Sequence, residues 1–254
     1  MSELKAIIPA AGYGTRLYPL TKETPKALIE VGSRPVIEYV LERIEAIGEI
    51  DTVFIVTNAL YYRKFKEWLR FFDEMTALEV KIINDHTKSN EDRLGAIGDK
   101  LLAIKKGRID DDVLDISSDN LFDFGLLNAL KAFREKNGSV IGLYDVKSKY
   151  LARHYGIVAV DAEDKVVSFQ EKPENPPSTL ASIGIYFYQR EHVPLFKEYV
   201  ELGHGKDAPG YFIEWLHKRA DVFGHVFKGK WFDIGSFEQL DKAREEFREA
   251  QAKK

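Results

Sequence analysis

Residues 7–28 read IIPAAGYGTRLYPLTKETPKAL, from Ile7 to Leu28. The apolar run Ala6 to Ile8 is short and stops at Pro9, the pattern of a buried strand. A loop follows with Gly12, Gly14, Thr15 and Arg16, and Lys26 comes directly after Pro25. Glycines let backbone N–H groups turn towards one anion. Arg16 can fork two oxygens, and Lys26 acts as a mobile point charge. Strand, glycine turn, guanidinium and ammonium together describe a cradle for a polyphosphate.

Two other phosphate loops are excluded. The dinucleotide fingerprint needs a third glycine three residues after the second, and Leu17 stands there, which argues against a nicotinamide dehydrogenase. No Gly-Lys-Ser/Thr closes a Walker span. What remains is Gly-x-Gly-Thr-Arg, with Lys26 ten residues after Arg16. Gly-x-Gly alone would equally be a plain strand-to-helix turn; the whole string favours a site.

Outward from this loop the chain alternates strand and helix. Helical spacing follows Pro35, placed at a first helical position, and runs from Val36 to Ile47. Strands are predicted at 52–57, 78–83 and 113–117, and helices at 61–72, 95–106 and 126–133. The 95–106 helix would turn Leu101, Leu102 and Ile104 inward. That alternation argues for a doubly wound sheet, with ligands beyond the carboxyl ends of its strands. Strands one and four are neighbours in the common winding, so the Gly12 loop and Ser118-Asp119-Asn120 should face one crevice. From Gly138 the pattern changes. Strands are expected at 140–146, 156–160, 166–170 and 183–188, and helices at 192–202 and 211–219. Residues 222–227 read as extended, 203–210 as a loop and 237–252 as a charged closing helix. We read residues 1–254 as one domain, about 1–137 its nucleotide half and 138–254 its sugar half.

Composition supplies the exclusions. The formal charge is −4 with 31% charged residues, so no global basic field favours nucleic acid. No apolar run reaches membrane-span length, and MSELKAIIPAAG lacks the order of a signal peptide. With no cysteine, disulfides and thiolate ligands are impossible, and a cytoplasmic setting is expected.

The string AAGYGTRLYPLTKETPKAL closely resembles the signature of sugar-nucleotide pyrophosphorylases, enzymes joining a sugar 1-phosphate to a nucleoside triphosphate. VGSRPVIEYV, SSDN, YGIV, FQEKP, SIGIYFY and WFDIGSFEQL follow in the family's order, covering nearly the whole chain. It is similar to glucose-1-phosphate thymidylyltransferases and to UTP–glucose-1-phosphate uridylyltransferases. The resemblance implies an α/β fold, a Rossmann-like doubly wound mixed sheet in three α/β/α layers. No left-handed β-helix repeat follows, so no appended acetyltransferase is expected.

The resemblance also implies roles. Ala10, Ala11, Gly12, Gly14 and Thr15 would bind the nucleotide, with Arg16, Lys26 and Lys172 catalytic. Asn90 and Gly95 would meet the base, Asn90 standing where the family carries glutamine. Tyr155, Gly156, Glu171, Lys172 and Gly184 would hold the sugar phosphate. Asp119 and Asp233 would bind Mg²⁺, which takes hard oxygens and commonly one or two carboxylates. Either aspartate alone would equally serve as a helix cap.

Three departures stand out. Ser118 replaces the family's usual glycine, Asn90 is one methylene short, and Asp207-Ala208-Pro209-Gly210 replaces Glu-Ile-Thr. The expected partners are a pyrimidine triphosphate, dTTP or UTP, and a sugar 1-phosphate, with homo-oligomerisation open. The alternatives are a cytidylyltransferase acting on a polyol phosphate and an inactive sugar-nucleotide sensor. No histidine is needed as a base; His86 and His154 read as surface or structural residues.

Overall fold

The computed structural model describes residues 3–252. In chain order the first half contains β1 (Leu4–Pro9), β2 (Glu30–Val31), β3 (Arg34–Pro35), α1 (Val36–Glu45), β4 (Ile50–Thr57) and α2 (Tyr62–Phe72). Then come β5 (Glu79–Asn84), α3 (Gly95–Gly107), β6 (Asp112–Ile116), β7 (Asn120–Phe122) and α4 (Leu127–Glu135). The second half contains β8 (Ser139–Asp145), α5 (Lys149–Ala152), β9 (Gly156–Val160), β10 (Val166–Glu171), β11 (Leu180–Tyr188) and α6 (Leu195–Glu201). It closes with α7 (Pro209–Leu216), β12 (Val222–Val226), β13 (Trp231–Asp233) and α8 (Phe237–Ala252).

A nine-stranded sheet runs through both halves in the order β10-β9-β11-β6-β1-β4-β5, with β8 paired to β11 and β12 to β8. β6, β1, β4 and β5 are parallel, while β11 joins β6 antiparallel, so the sheet is mixed. β1 and β6 are direct neighbours, which puts their loops side by side as the alternation predicts.

Side-chain alternation produces the layers. On β1, Ala6 and Ile8 enter one core with Ile37, Leu41, Phe65 and Phe133, whereas Ile7 enters the other with Ile97, Phe196 and Phe212. β4 does the same, Val53 and Ile55 against Phe54 and Val56. Strands apolar on both faces need helices on both faces, hence three layers.

Several expectations are corrected. Pro35 ends β3 and precedes α1 instead of opening it. The predicted 192–202 helix is a 3-10 turn at Arg190–His192 followed by α6, the two meeting at Pro194. Pro209, assigned to a loop, is the first residue of α7, where its missing N–H costs nothing. In α3 the buried face carries Ile97, Asp99, Lys100 and Ala103, and Leu101, Leu102 and Ile104 are only half-buried. A charge can face inward there because Lys100 Nζ lies 2.5 Å from Asp115 of β6. The strands β7 and β13 were also unforeseen.

Candidate active site

The glycine loop leaves β1 and is tied down by buried side chains of the next β-α unit. Asn58, directly after β4, donates through Nδ2 to Ala11 O at 2.8 Å and accepts Tyr61 N–H at 3.0 Å. The Tyr61 hydroxyl donates to Tyr13 O at 3.2 Å and also contacts Thr21 O. Thr21 Oγ1 donates to Gly14 O at 2.7 Å. Asn58, Tyr61 and Thr21 are all fully buried, so the loop is fixed before any ligand arrives. Sequence reasoning missed them; the one available signal was an asparagine at the carboxyl end of an otherwise apolar strand.

Two cavities meet beyond these strand ends. The first, about 420 Å³, is lined by Ala10, Ala11, Gly12, Gly14, Thr15 and Arg16 from the loop. Lys26, Asn90, Gly95 and Asp119 complete the residues expected there. The second, about 370 Å³, is lined by Tyr155, Gly156, Glu171, Lys172, Gly184 and Asp233. Arg16, Ser117, Asp119, Asp207 and Pro209 line both, so they form the common wall. Every residue expected from the sequence therefore lies on one of two adjoining cavities. His154 also reaches the second cavity, from an exposed position, while His86 lines neither.

The two aspartates are brought together by β7 and β13, which pair antiparallel with Asp233 opposite Asn120. Ile234 N–H donates to Asp119 O at 3.1 Å. Trp231 Nε1 donates to Asn120 Oδ1 at 3.1 Å, and Asn120 Nδ2 reaches Ile183 O on β11. Asp119 is ion-paired with Lys26. Burial pushes the Asp233 carboxyl up to about 6, and the charge of Asp119 adds to the rise. Lys26, Arg16 and Lys172 pull the other way, so three cations from three separate segments act on one carboxyl.

Mg²⁺ fits this donor set. Two neighbouring carboxylates repel when both are ionised, and a divalent cation between them would remove that cost. Among the described residues no cluster of three or more His, Cys, Asp or Glu is poised to hold a metal. An ion held here by two carboxylates would draw its other oxygens from water and phosphate.

The second cavity is shaped by close approaches. Gly184 has φ +68°, and a Cβ there would lie 2.2 Å from Ser117 Oγ. Lys172 also takes a left-handed φ of 47°, strained for a lysine, with its N–H donating to Tyr155 O at 3.0 Å. Burial pushes Glu171 up. Tyr155 and Trp231 rings lie 5.2 Å apart on one wall.

Asp207, before α7, and Pro209, which opens it, stand on the wall between the two cavities. Arg93 grips Asp207 through two bonds of 3.1 Å. Ile97 N–H donates to Lys206 O at 3.0 Å, and a Cβ on Gly95 (φ +77°) would lie 2.6 Å from that carbonyl oxygen. Ser118 is buried on the first cavity and is not among the residues with positive φ, so serine fits its backbone.

The family model described as nucleotidyl transferase matches residues 5–250. The chain belongs to the nucleotidyl transferase family. Curated relatives of this transferase include the UTP–glucose-1-phosphate uridylyltransferase of Synechocystis, 29% identical over 91% of the chain and 60% of the relative. The glucose-1-phosphate thymidylyltransferase of Streptomyces antibioticus is 27% identical over 92% and 63%. The bifunctional protein GlmU of Methanocaldococcus jannaschii is 27% identical over 91% and 51%. The chain thus spans about half to three-fifths of these relatives' lengths. Among solved structures, a UDP-glucose pyrophosphorylase complexed with UDP-glucose superposes with a TM-score of 0.83 at 22% identity, covering 98% of this transferase and 100% of that chain. A UTP-bound UGPase from Acinetobacter baumannii gives 0.77 at 22% identity, over 97% and 93%. At that identity the likeness speaks to the fold. No described helix is long and apolar enough to cross a membrane.

Proposed function

We propose that this transferase moves a nucleoside monophosphate from a pyrimidine triphosphate, UTP or dTTP, to a sugar 1-phosphate, with glucose 1-phosphate the first candidate. One observation carries the reading: Arg16 and Asp119 line both cavities, where Lys26, Lys172 and Asp233 converge. A nucleotide in the first cavity and a sugar phosphate in the second would meet at that wall. Relatives named as uridylyltransferase and thymidylyltransferase, and neighbours bound to UTP and UDP-glucose, agree with the two substrate classes.

The nucleophile is a phosphate oxygen of the sugar 1-phosphate, largely dianionic at neutral pH because its second pKa is about 6. It attacks the α-phosphorus in line. The bond from that phosphorus to the α–β bridging oxygen breaks, and pyrophosphate departs with the electron pair. No proton has to move, so no general base is needed.

Catalysis then rests on alignment and charge neutralisation. Lys172 positions the attacking phosphate. Arg16 and the N–H groups of the Gly12–Gly14 turn hold the departing pyrophosphate, and Lys26 balances charge beside the α-phosphate. Asp119 and Asp233 are the groups that would hold Mg²⁺, which when bound supplies Lewis-acid neutralisation of phosphate oxygens.

The test is a pyrophosphate-release screen crossing UTP, dTTP, CTP, ATP and GTP with several sugar 1-phosphates and a polyol phosphate, with Mg²⁺ and with chelator. Release with a pyrimidine triphosphate and a sugar 1-phosphate is expected. Release with no pair, or only with a polyol phosphate, refutes the proposal.

A further inference from the structure

The base end of the first cavity contains a carboxyl that the mechanism does not use. Asp99 lines this cavity one helical turn after Gly95, on the same face of α3. It is only 5% exposed, and its Oδ1 has no hydrogen-bond partner among the described residues. The neighbouring ammonium does not serve it: Lys100 Nζ sits 2.5 Å from Asp115, with both side chains almost wholly buried. Gly95 and Ala96, which line the same cavity, are small.

A buried polar atom without a partner costs stability, and an apolar residue of similar size would remove the cost. Its place on a ligand cavity gives the cost a use if the ligand supplies the missing partner. We propose that Asp99 hydrogen-bonds the base edge of the bound triphosphate, an inference that rests on the function proposed above.

Burial, with the charge of Asp85 adding, pushes the Asp99 carboxyl up to about 8, so near neutral pH it keeps its proton. A neutral carboxyl offers an O–H donor beside a carbonyl acceptor. The imide edge of uracil or thymine presents a ring carbonyl beside N3–H, which accepts from the one and donates to the other. Asn90, also on this cavity, can add a contact to the same edge.

The test compares wild type, Asp99→Ala and Asp99→Asn. It measures kcat/KM for UTP, dTTP and CTP with the best sugar 1-phosphate, together with direct binding of each triphosphate by calorimetry and the thermal midpoint. In Asp99→Ala, kcat/KM for UTP or dTTP should fall by about tenfold or more, as a site built to hydrogen-bond its ligand loses its partner. Triphosphate affinity should fall in parallel while the thermal midpoint rises. Asp99→Asn, which keeps a donor and an acceptor, should stay within about threefold of wild type.

Unchanged kcat/KM and affinity in Asp99→Ala, with only a raised midpoint, would overturn the proposal and leave Asp99 a structural residue. A wild-type preference for a purine triphosphate would overturn it as well. If wild type releases no pyrophosphate yet binds UTP through Asp99, the proposed reaction fails and this inference stands. No binding of any triphosphate by wild type sinks both.

Discussion

In the first half a parallel strand ends in a turn that lines the cavity with main chain and is held from behind by Asn58, Tyr61 and Thr21. In the second half the wall is side chain and strained backbone, with Glu171 and Lys172 at the end of an antiparallel strand and aromatic rings beside them. A backbone cradle suits what every nucleoside triphosphate shares, its phosphates. A side-chain wall suits what differs between sugars. Changes to the turn and its anchors should therefore cost rate or fold, and changes to the side chains of Glu171 and Lys172 should bear on the second cavity's ligand.

The largest break is Arg16→Ala. If this exposed guanidinium behaves like other preorganised charge stabilisers, kcat should drop by about 10²–10³, roughly 3–4 kcal/mol of barrier, in the pyrophosphate assay. Its melting temperature should not move. Lys172→Ala is the contrast: KM for the sugar 1-phosphate should rise more than KM for the triphosphate.

Next is Asn58→Ala. It strands the Ala11 carbonyl and the Tyr61 N–H in the interior, and urea titration should show a loss of about 2–3 kcal/mol. KM for the triphosphate should rise as the turn loosens. An unchanged KM would mean the loop holds its shape without this anchor.

Gly184→Ala should cost about 1–3 kcal/mol, because the methyl would meet Ser117 Oγ and the backbone is left-handed. Pairing it with Ser117→Gly should recover part of the loss, the share due to the clash. No recovery would assign the whole cost to the backbone.

A further contrast concerns pH. The folded chain keeps the Asp99 proton up to about 8, whereas the unfolded chain releases it near 3.8. Folding is therefore penalised progressively as pH rises between those values, and stability from this group falls with pH. Asp99→Asn should flatten that slope in denaturation curves taken from pH 5 to 8. Smallest of all, Lys172→Gly should relieve the left-handed strain and stabilise by up to about 1 kcal/mol while impairing turnover.

Much of this is legible in the sequence. The parallel strands read as short apolar runs, and β1 beside β6 followed from the alternation. Arg16, Lys26 and the glycines stood in one string. The antiparallel clasp was hidden, because Asn120–Phe122 and Trp231–Asp233 are each three residues long, too short for a period of two to register. Asp99 and Lys100 were hidden too. A charged pair on a helix reads as solvated surface, and only the buried Asp115 on a neighbouring strand makes the inward orientation tenable. Pro209 misled because proline marks both a loop and a helix start.

The clasp between β7 and β13 also bears on the order of assembly. Trp231 bonds to Asn120 across 111 positions of chain, so the segment carrying the second acidic group can dock only after most of the polypeptide has been made. Contacts of such separation are costly in loop entropy and tend to close late. We expect pulsed hydrogen exchange during refolding to protect the β1–β4 amides before those of β13. On that order, the glycine turn matures while the acidic pair is still open.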